Sequence, residues 1–449
     1  MLYRLCQERV SDLWNLIREP EWESWAVEEE ARLQGLLDKK DGAAQAFSYP
    51  SWNSEEKAFV WAAAALRVLD RVHQRQWGEV AGHEADLIHL PSELGGGLTL
   101  FLPPPERPIE ALIPKSRQLQ RGVEDLEKNL RHILGLWWHV VLVDRHTVRP
   151  HLKSLPALVS KLLARRLQES RDLRIGLASP FAALDYSIHA DPTRCHRDKG
   201  APYRFAGIEQ TCLPEARKIL EQIVADCARD KVDVLCFPEL TLDTDLRRTL
   251  ITLLKTRNET NHPALVVTGS FHLDSTPGWV NRSHILDGLG NELLLQEKCT
   301  DYSLPGEQVT ALPGTVQARL GLDERGGYED IQLSRALYLI DGALGRLAVP
   351  ICLDFCGETL QALFVETQTN LFAVPAMTPK VQPFKDTASK LGTLTRGITL
   401  FVNSAWLGQQ LSLEDPSTFL YVPARRGFRG GDASGPLFLF TIRELLSLP

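Results

Sequence analysis

Three side chains that could share one reaction each stand at the end of an apolar run. Cys352 follows the run 347–351 in GRLAVPICLDFCGE, Glu239 lies near the end of VDVLCFPEL, and Lys298 ends HILDGLGNELLLQEK. The apolar runs are typical of buried β-strands. A thiol, a carboxylate and an ammonium group are side chains that nucleophilic catalysis at a carbonyl or nitrile carbon can use.

The chemistry assigns a separate task to each of these side chains. Glu239 can take the thiol proton of Cys352, because the thiolate is the effective nucleophile. Lys298 can lower the pKa of the thiol and, with a backbone N–H group, stabilise the negative oxygen of a tetrahedral intermediate. In an open α/β sheet such groups collect at the carboxyl ends of strands, so we expect the three to meet in one pocket.

The elements that carry these residues alternate between strands and helices from Leu173 onward. Strands are predicted at 173–180, 232–240, 264–272, 282–298, 336–352, 369–377 and 399–406, and helices at 215–231, 246–259, 358–366 and 388–398. This alternation predicts an α/β domain in which helices cover a central sheet. Asp-Gly and Gly-Asn turns within 282–298 and 336–352 predict additional antiparallel strands.

The N-terminal part of the chain follows a different pattern. Amphipathic helices are predicted, from apolar residues at three- and four-residue spacing, at 55–77, 123–143 and 152–170, with Pro156 as the alternative entry to the last. The segment 85–108 is predicted to form a strand pair or a loop closed by prolines. A chain of 449 residues is long enough for two or three domains. We therefore predict a mostly helical N-terminal domain of unknown role over 1–170 and a second domain over 171–449.

The composition indicates which kinds of partner and which cellular compartment to expect. The net charge of -7 does not favour nucleic acid or an anionic membrane as a partner. No apolar run approaches the ~20 residues of a membrane span, and the charged N-terminus lacks the apolar core of a secretion signal. Eight cysteines without the spacing of a disulfide framework suit a reducing cytosol, so we expect a cytoplasmic protein.

Several other motifs are explained more simply by structure than by function. The four histidines from His132 to His151 and the stretch CHRDK do not have the spacing of a zinc site, so we expect no metal. The stretch ELGGGLTL lacks the lysine of a phosphate-binding loop, and the sequence has no G-x-S-x-G elbow of a serine hydrolase. The basic stretch ARRGFRGGD is predicted to be a solvated loop, and Cys299 and Cys356 are expected to be structural.

The C-terminal two-thirds of the sequence resembles the nitrilase superfamily, the carbon–nitrogen hydrolases. The resemblance runs from about Leu173 to about Thr441 and follows the family's order of motifs. These motifs are VDVLCFPEL, ALVVTGSFHL with Asn281 and HILDGLGNELLLQEK, GRLAVPICLDF, TNLFAVPAM and TRGITLFVNSAWLG. The resemblance implies a four-layer α-β-β-α sandwich (nitrilase-like), association into homo-oligomers through outer helices, and catalysis without a metal or an organic cofactor.

The resemblance also implies roles for particular residues. Glu239 would be the general base, Lys298 the oxyanion stabiliser and Cys352 the nucleophile. The family often has a second glutamate after its lysine, and Glu307 in SLPGEQV is the closest candidate. The backbone N–H of Leu353 would complete the oxyanion hole.

Departures from the family pattern leave the substrate open. The family usually has an aromatic residue where Leu353 stands. The segments 185–207 and 300–336 are longer than in a minimal member. We expect both segments to border the site and to influence which substrate it accepts.

These features predict a cytoplasmic amidase-type hydrolase that acts on a small-molecule amide. Nitrile, carbamoyl and acyl-transfer chemistry stay open, because all of them use the same triad. The alternative is a nitrilase-like binding, sensing or assembly module of a larger multidomain system, with its triad idle or conditionally active. The helical N-terminal region motivates this alternative, since simple amidases of the family lack it, and it is the candidate contact for a protein partner.

Overall fold

The computed structural model contains two compact units. The first comprises Met1–Pro105 with Lys115–His146, and the second comprises Glu106–Pro114 with Thr147–Pro449. The structure describes residues 12–13, 16, 19–37, 54–80, 88–89, 98–101, 139–142, 148–170, 173–181, 184–195, 199–257, 263–276, 278–312, 314–342, 344–367, 369–395, 397–406, 418–423, 427–430 and 437–441. Residues 147–170, which the sequence pattern grouped with the N-terminal region, fall in the second unit.

The N-terminal unit contains two long helices and a small antiparallel sheet. Its elements are α1 (Pro20–Leu37), α2 (Glu55–Val80), β1 (Ile88–His89), β2 (Leu98–Phe101) and β3 (His139–Leu142). Helix α2 matches the helix predicted at 55–77, and β1 pairs with β2 within the segment 85–108. Most of the helix predicted at 123–143 lies outside the described residues, and residues 139–142 form a strand that pairs with β2.

The start and the apolar face of α2 follow from its sequence. Ser54 precedes the helix, and its hydroxyl accepts a hydrogen bond from the backbone N–H of Lys57 at 3.3 Å, as an N-cap residue does. The alanine run 62–65 is buried, and alanine is the strongest helix former. An ion pair of 3.0 Å between Arg67 and Glu30 connects α2 with α1.

The second unit is built on two large sheets and a smaller one. The strand orders are β11-β10-β9-β8-β5-β20 in the six-stranded sheet, β19-β18-β17-β16-β15-β14-β4 in the seven-stranded sheet, and β12-β13-β7-β6 in the four-stranded sheet. The strands are β4 (Arg149–Ser154), β5 (Arg174–Ala178), β6 (Tyr186–Ala190), β7 (Ala201–Ile208), β8 (Val234–Cys236), β9 (Leu265–Ser275), β10 (Gly278–Asp287), β11 (Glu292–Glu297), β12 (Ser303–Leu304), β13 (Gly327–Glu329), β14 (Ala336–Gly342), β15 (Gly345–Ala348), β16 (Leu371–Ala376), β17 (Ile398–Asn403), β18 (Phe419–Val422), β19 (Gly427–Gly430) and β20 (Leu437–Thr441).

Helices cover the large sheets, and the two sheets share a core. The helices are α3 (Ala157–Ser170), α4 (Leu213–Arg229), α5 (Thr244–Arg257), α6 (Gly306–Ala311), α7 (Gly314–Leu320), α8 (Glu358–Glu366) and α9 (Gln382–Thr395). Leu177 and Val267 of the six-stranded sheet pack in one buried cluster with Leu347 and Leu400 of the seven-stranded sheet. A second cluster joins α4 and α5 to the six-stranded sheet. Of the helices in the described residues, none has the length and apolar character needed to cross a membrane.

Parallel strands form the centre of each large sheet. Strands β5, β8 and β9 run parallel, and so do β15, β16 and β17. All residues of β8, β16 and β17 are buried. Strands covered on both faces have near-continuous apolar sequences, which explains why their positions could be predicted from the sequence.

The segment 149–170 differs from its sequence prediction. Strand β4 pairs in parallel with β14, with Arg149 opposite Ala336, and helix α3 begins only at Ala157. The sequence pattern predicts a helix over 152–170 with Pro156 as the alternative entry, and the structure agrees with that alternative. Pro156 separates the two elements, because proline is tolerated at a helix start but not in a helix interior.

A buried aspartate anchors the strand that leads to Glu239. The Asp233 carboxylate accepts hydrogen bonds from Arg166 Nη1 of α3 at 2.6 Å and from the backbone N–H of Arg174 at 2.9 Å. Asp233 directly precedes β8. These contacts therefore fix the start of β8 relative to α3 and β5.

Candidate active site

Glu239 is held just beyond the carboxyl end of β8 by close contact with β9. It forms a parallel bridge with Ser270, and Leu240 after it has a left-handed φ of 55°. Gly269 has a φ of +71°, and a Cβ there would lie 1.9 Å from the carbonyl oxygen of Pro238. Only glycine permits this backbone approach, so the sequence of β9 determines where Glu239 lies.

The Glu239 carboxylate is buried, with an exposed fraction of 3%, and it accepts three hydrogen bonds. Oε1 accepts from Asn281 Nδ2 at 2.9 Å and from Lys298 Nζ at 3.0 Å. Oε2 accepts from the backbone N–H of Met377 at 3.1 Å. Burying an unpaired carboxylate is costly, and these donors offset that cost.

Lys298 lies between two buried carboxylates. Its ammonium group is 3.0 Å from Glu239 Oε1 and 2.7 Å from Glu329 Oε2, and the residue is 1% exposed. Burial opposes the charge of Lys298, but Glu239 and Glu329 outweigh burial and hold the pKa of Lys298 well above its ordinary value. Lys298 is therefore a fixed positive charge at the centre of the site.

Cys352 is the third member of the buried cluster. It has a left-handed φ of 52° at the start of a short 3-10 turn, Cys352–Asp354, and it is 5% exposed. Burial and the Glu239 charge raise the pKa of the Cys352 thiol well above its ordinary value, against opposing effects of Lys298 and the Met377 N–H. The resting side chain is therefore a thiol, and it needs a base in order to react.

Glu239 and Lys298 both act on the Cys352 thiol. Besides burial, the Glu239 charge raises the pKa of Cys352, and Lys298 lowers it. The backbone N–H of Met377 donates to Glu239 Oε2 at 3.1 Å. The three strand-end residues therefore lie in one buried cluster.

The turn after Cys352 is tied to the segment after Lys298 by a buried carboxylate. Asp354 accepts hydrogen bonds from the backbone N–H groups of Cys299 (3.0 Å), Thr300 (2.7 Å) and Ile351 (3.2 Å). Burial raises the pKa of Asp354 to about 7, and the N–H donors partly offset this rise. Asp354 therefore sets the position of the turn that carries Cys352 relative to Lys298. Leu353, the expected oxyanion residue, lies within this turn.

Replacing Asp354 with asparagine is expected to lower the free energy of unfolding by about 1–3 kcal/mol. Both carboxylate oxygens accept N–H groups, and the amide nitrogen of asparagine would turn a donor toward one of these donors. Urea denaturation of both proteins measures the difference. Asp301→Asn is the matched control, because Asp301 pairs with Lys199 at the surface. An Asp354→Asn variant no less stable than this control would contradict the role of Asp354.

The structure does not bring Glu307 to the cluster. Glu307 lies in the first turn of α6 and is exposed. Glu329 of β13 contacts Lys298 instead, and its other oxygen, Oε1, is 3.3 Å from His272 Nε2. Burial opposes ionisation of Glu329, but Lys298 and His272 outweigh burial and lower the pKa of Glu329 to about 2. The second carboxylate of the site is therefore Glu329.

Part of the long segment 300–336 reaches the site. The Tyr302 ring lies with its centroid 5.9 Å from Lys298 Nζ. Burial, with the nearby charges of Cys352 and Glu329, raises the pKa of Tyr302. The Tyr302 hydroxyl donates to Gln308 Oε1 of α6 at 3.1 Å. This long segment thus supplies both Tyr302 and Glu329 to the surroundings of the triad.

Sequence reasoning missed three of these buried residues. Asp354 stands two positions after Cys352 in the quoted motif, where a buried acid beside a nucleophile was a usable signal. His272 lies at the end of the run ALVVTGSFHL, where a polar residue on a buried strand was a weaker one. Glu329, in the long segment GGYEDIQ, had no local signal.

Burial raises the pKa of Cys299, and it raises the pKa of Cys356 to about 11, so both are thiols at neutral pH. Within the described ranges, no group of three or more His, Cys, Asp and Glu side chains is arranged to hold a metal ion.

Comparison with known proteins gives matches among solved structures alone. No protein-family model matches the chain, and no curated protein matches its sequence. The chain resembles an amidase from Nesterenkonia sp. with 13% identity and a TM-score of 0.37, over 60% of this chain and 89% of that chain. It resembles Saccharomyces cerevisiae Nit3 with 13% identity and a TM-score of 0.38, over 62% and 95%.

A further match is a glutamine-dependent NAD+ synthetase from Acinetobacter baumannii, with 13% identity and a TM-score of 0.37, over 60% of this chain. The match covers 45% of the synthetase, less than half of its length. Nit3 and the amidase are members of the nitrilase superfamily, the family whose motifs this sequence resembles.

Proposed function

We propose that the chain is a thiol-dependent hydrolase of non-peptide C–N bonds, with an amide as its substrate. Its second unit would be a four-layer α-β-β-α domain of the nitrilase type. The observation that carries this proposal is the buried cluster in which Lys298 binds Glu239 at 3.0 Å while the charges of both residues act on the Cys352 thiol.

The first half of the proposed reaction forms a thioester. The Cys352 sulfur adds to the carbonyl carbon while its proton moves to Glu239. Lys298 and the backbone N–H of Leu353 stabilise the negative oxygen of the tetrahedral intermediate. As this intermediate collapses, the C–N bond breaks and Glu239 returns the proton to the nitrogen, so ammonia or an amine leaves.

The second half of the reaction releases the acid. Glu239 takes a proton from water, and the resulting hydroxide adds to the thioester carbon. Lys298 and the Leu353 N–H again stabilise the negative oxygen. The C–S bond then breaks, the sulfur recovers the proton from Glu239, and the carboxylic acid departs. Glu329 touches Lys298 but not the transferred proton, and its task is to hold the ammonium group in place.

The raised pKa of Cys352 supports coupling of proton transfer to attack. A thiol with a pKa well above its ordinary value is protonated at neutral pH. The proton must therefore leave as the C–S bond forms, and the acceptor must already be next to the sulfur. We assign this role to Glu239, whose charge acts on the Cys352 thiol.

A second candidate function is a conditionally active or idle module of a larger system. The observation that favours it is the burial of Cys352, which is 5% exposed, because a substrate can reach this sulfur only if neighbouring residues move. In this reading the site reacts only on a signal, and the N-terminal unit is the candidate contact for the protein partner that supplies it.

The test measures both turnover and thiol reactivity. The full chain is incubated with a panel of small amides and nitriles, and ammonia release is followed, with Cys352→Ala as the inactive control and Cys356→Ala as the matched control. Iodoacetamide labelling at neutral pH is followed by mass spectrometry. Ammonia release that Cys352→Ala abolishes is the expected result. Cys352 should also label much faster than the other cysteines, because Glu239 removes its proton as the sulfur attacks. Labelling of Cys352 no faster than of Cys356, with no turnover, would favour the module.

A further inference from the structure

His272 lies in β9 with both ring nitrogens in contact with polar groups. The residue is 1% exposed. The backbone N–H of Phe205 donates to His272 Nδ1 at 3.0 Å, so Nδ1 is an acceptor and carries no proton. The ring proton of a neutral imidazole then resides on Nε2. Nε2 lies 3.3 Å from Glu329 Oε1, so His272 donates to Glu329.

Each carboxylate oxygen of Glu329 accepts a hydrogen bond from a different residue. Oε1 accepts from His272 and Oε2 accepts from Lys298 Nζ at 2.7 Å. A carboxylate with one partner can rotate about its terminal bonds, whereas a carboxylate with two partners on different segments of the chain is fixed. Because Lys298 binds Glu329, the fixed orientation of Glu329 also fixes the position of the Lys298 ammonium group.

The surroundings of Glu329 are defined by a small set of titratable groups. Those that act on it or feel its charge are Lys298 after β11, His272 of β9, Tyr203 of β7, Tyr302 in the segment before β12, and Cys352. With Nδ1 accepting from the Phe205 N–H, Nε2 of His272 is the donor to Glu329 Oε1.

We propose that His272 is a positioning residue that acts through Glu329 to orient the Lys298 ammonium group for the reaction of Cys352. This inference rests on the proposed function. The chain of contacts runs from the Phe205 N–H through His272 and Glu329 to Lys298, and Glu239 lies on the other side of the ammonium group. Phe205 belongs to β7, within the long segment 185–207. That segment therefore contributes to the site by fixing the tautomer of His272.

Two amide substitutions separate the two contacts of His272. An asparagine oxygen can replace Nδ1 and accept from the Phe205 N–H, but asparagine is too short to donate to Glu329. A glutamine side chain reaches further, and its amide N–H can replace Nε2 as a donor to Glu329. H272N therefore removes the contact that the proposal needs, and H272Q keeps it.

The experiment compares iodoacetamide labelling of Cys352 in the full-length wild type, H272N and H272Q. We expect H272N to label about tenfold more slowly than H272Q at pH 7, because a misplaced ammonium group no longer favours the thiolate. We also expect Glu329 in H272N to bind a proton about one to two pH units higher than in H272Q. Glu329 is ionised, and holds the Lys298 ammonium group, only above the pKa of Glu329. A raised pKa of Glu329 therefore moves the loss of this contact to higher pH. The H272N to H272Q rate ratio should consequently fall as the pH is lowered from 7 to 4.

The outcomes distinguish this inference from the proposed function. If wild-type Cys352 labels no faster than Cys356 and the panel of amides and nitriles shows no turnover, the proposed hydrolase function fails, whatever the variants do. If wild-type Cys352 labels rapidly and H272N matches H272Q at every pH, the role of His272 is overturned and the function stands. Equal losses in both variants also overturn it, because they indicate a packing role. Thermal unfolding of each variant, followed by circular dichroism, identifies losses that result from unfolding.

Discussion

Replacing Lys298 with methionine is expected to lower the free energy of unfolding by about 3–5 kcal/mol and to abolish hydrolysis. Methionine has a similar length and no charge, so the variant removes the ammonium group and leaves Glu239 and Glu329 buried without it. Both carboxylates are within 3.0 Å of that group in the wild type. Urea denaturation measures the loss of stability, and the labelling rate of Cys352 measures the loss of reactivity at the site.

The pH dependence of the same variant has a defined sign. In the wild type the pKa of Glu329 lies at about 2, below its ordinary value of 4.5. Its stabilisation is therefore complete above about pH 4.5 and is lost as the pH falls toward 2. Without Lys298, burial dominates and raises the pKa of Glu329. We therefore expect the stability of Lys298→Met to decrease as the pH rises above 4.5, whereas the wild type gains stability from Glu329 as the pH rises from 2 to 4.5.

Lys199→Met is the matched control for this prediction. Lys199 also pairs with a carboxylate, Asp301, at 2.9 Å, but both side chains are about half exposed. Exposed pairs of this kind contribute little to stability. If the two lysine variants lose equal stability and label alike, Lys298 is not the central charge of the site.

Replacing Glu239 with glutamine is expected to reduce hydrolysis by about 10²–10⁴-fold. Glutamine cannot take the proton of the Cys352 thiol. It also cannot satisfy the three donors that meet the carboxylate, because its amide nitrogen would face Met377 N–H or the pair of Asn281 and Lys298. Ammonia release from the best amide of the panel, together with iodoacetamide labelling of Cys352, measures the loss.

Glu307→Gln provides the control for Glu239→Gln. Both substitutions remove one carboxylate charge, and Glu307 was the sequence candidate for the second glutamate of the site. Because Glu307 is exposed on α6, its replacement should change the hydrolysis rate less than twofold. A large loss in Glu307→Gln, or full activity in Glu239→Gln, would require a different assignment of the base.

The positions of the strand-end residues could be predicted because the signal is local. Strands β8 and β16 are buried throughout, so their apolar runs are continuous and a polar residue at the end of such a run stands out. The same reasoning located Cys352 after β15. It did not predict β4, although Pro156 marked the start of the helix that follows.

Glu329 and His272 could not be predicted in this way because their roles depend on contacts between distant segments. Glu329 lies 31 positions after Lys298 in the sequence. Strand β13 carries it to the site by pairing in parallel with β7, and this pairing has no signature in the residues around Glu329. Glu307 is closer to Lys298 in sequence than Glu329 is. Proximity along the chain therefore favoured the wrong glutamate.

The sequence by itself determined the α/β class of the second unit and the three strand ends at which an acid, an amine and a thiol stand, because burial of parallel strands leaves a continuous apolar pattern. Only the tertiary structure decided which carboxylate balances Lys298, which donor holds that carboxylate and how Asp354 joins two segments. These are contacts between groups far apart in the chain, and their energies depend on distance and burial rather than on neighbouring residue types.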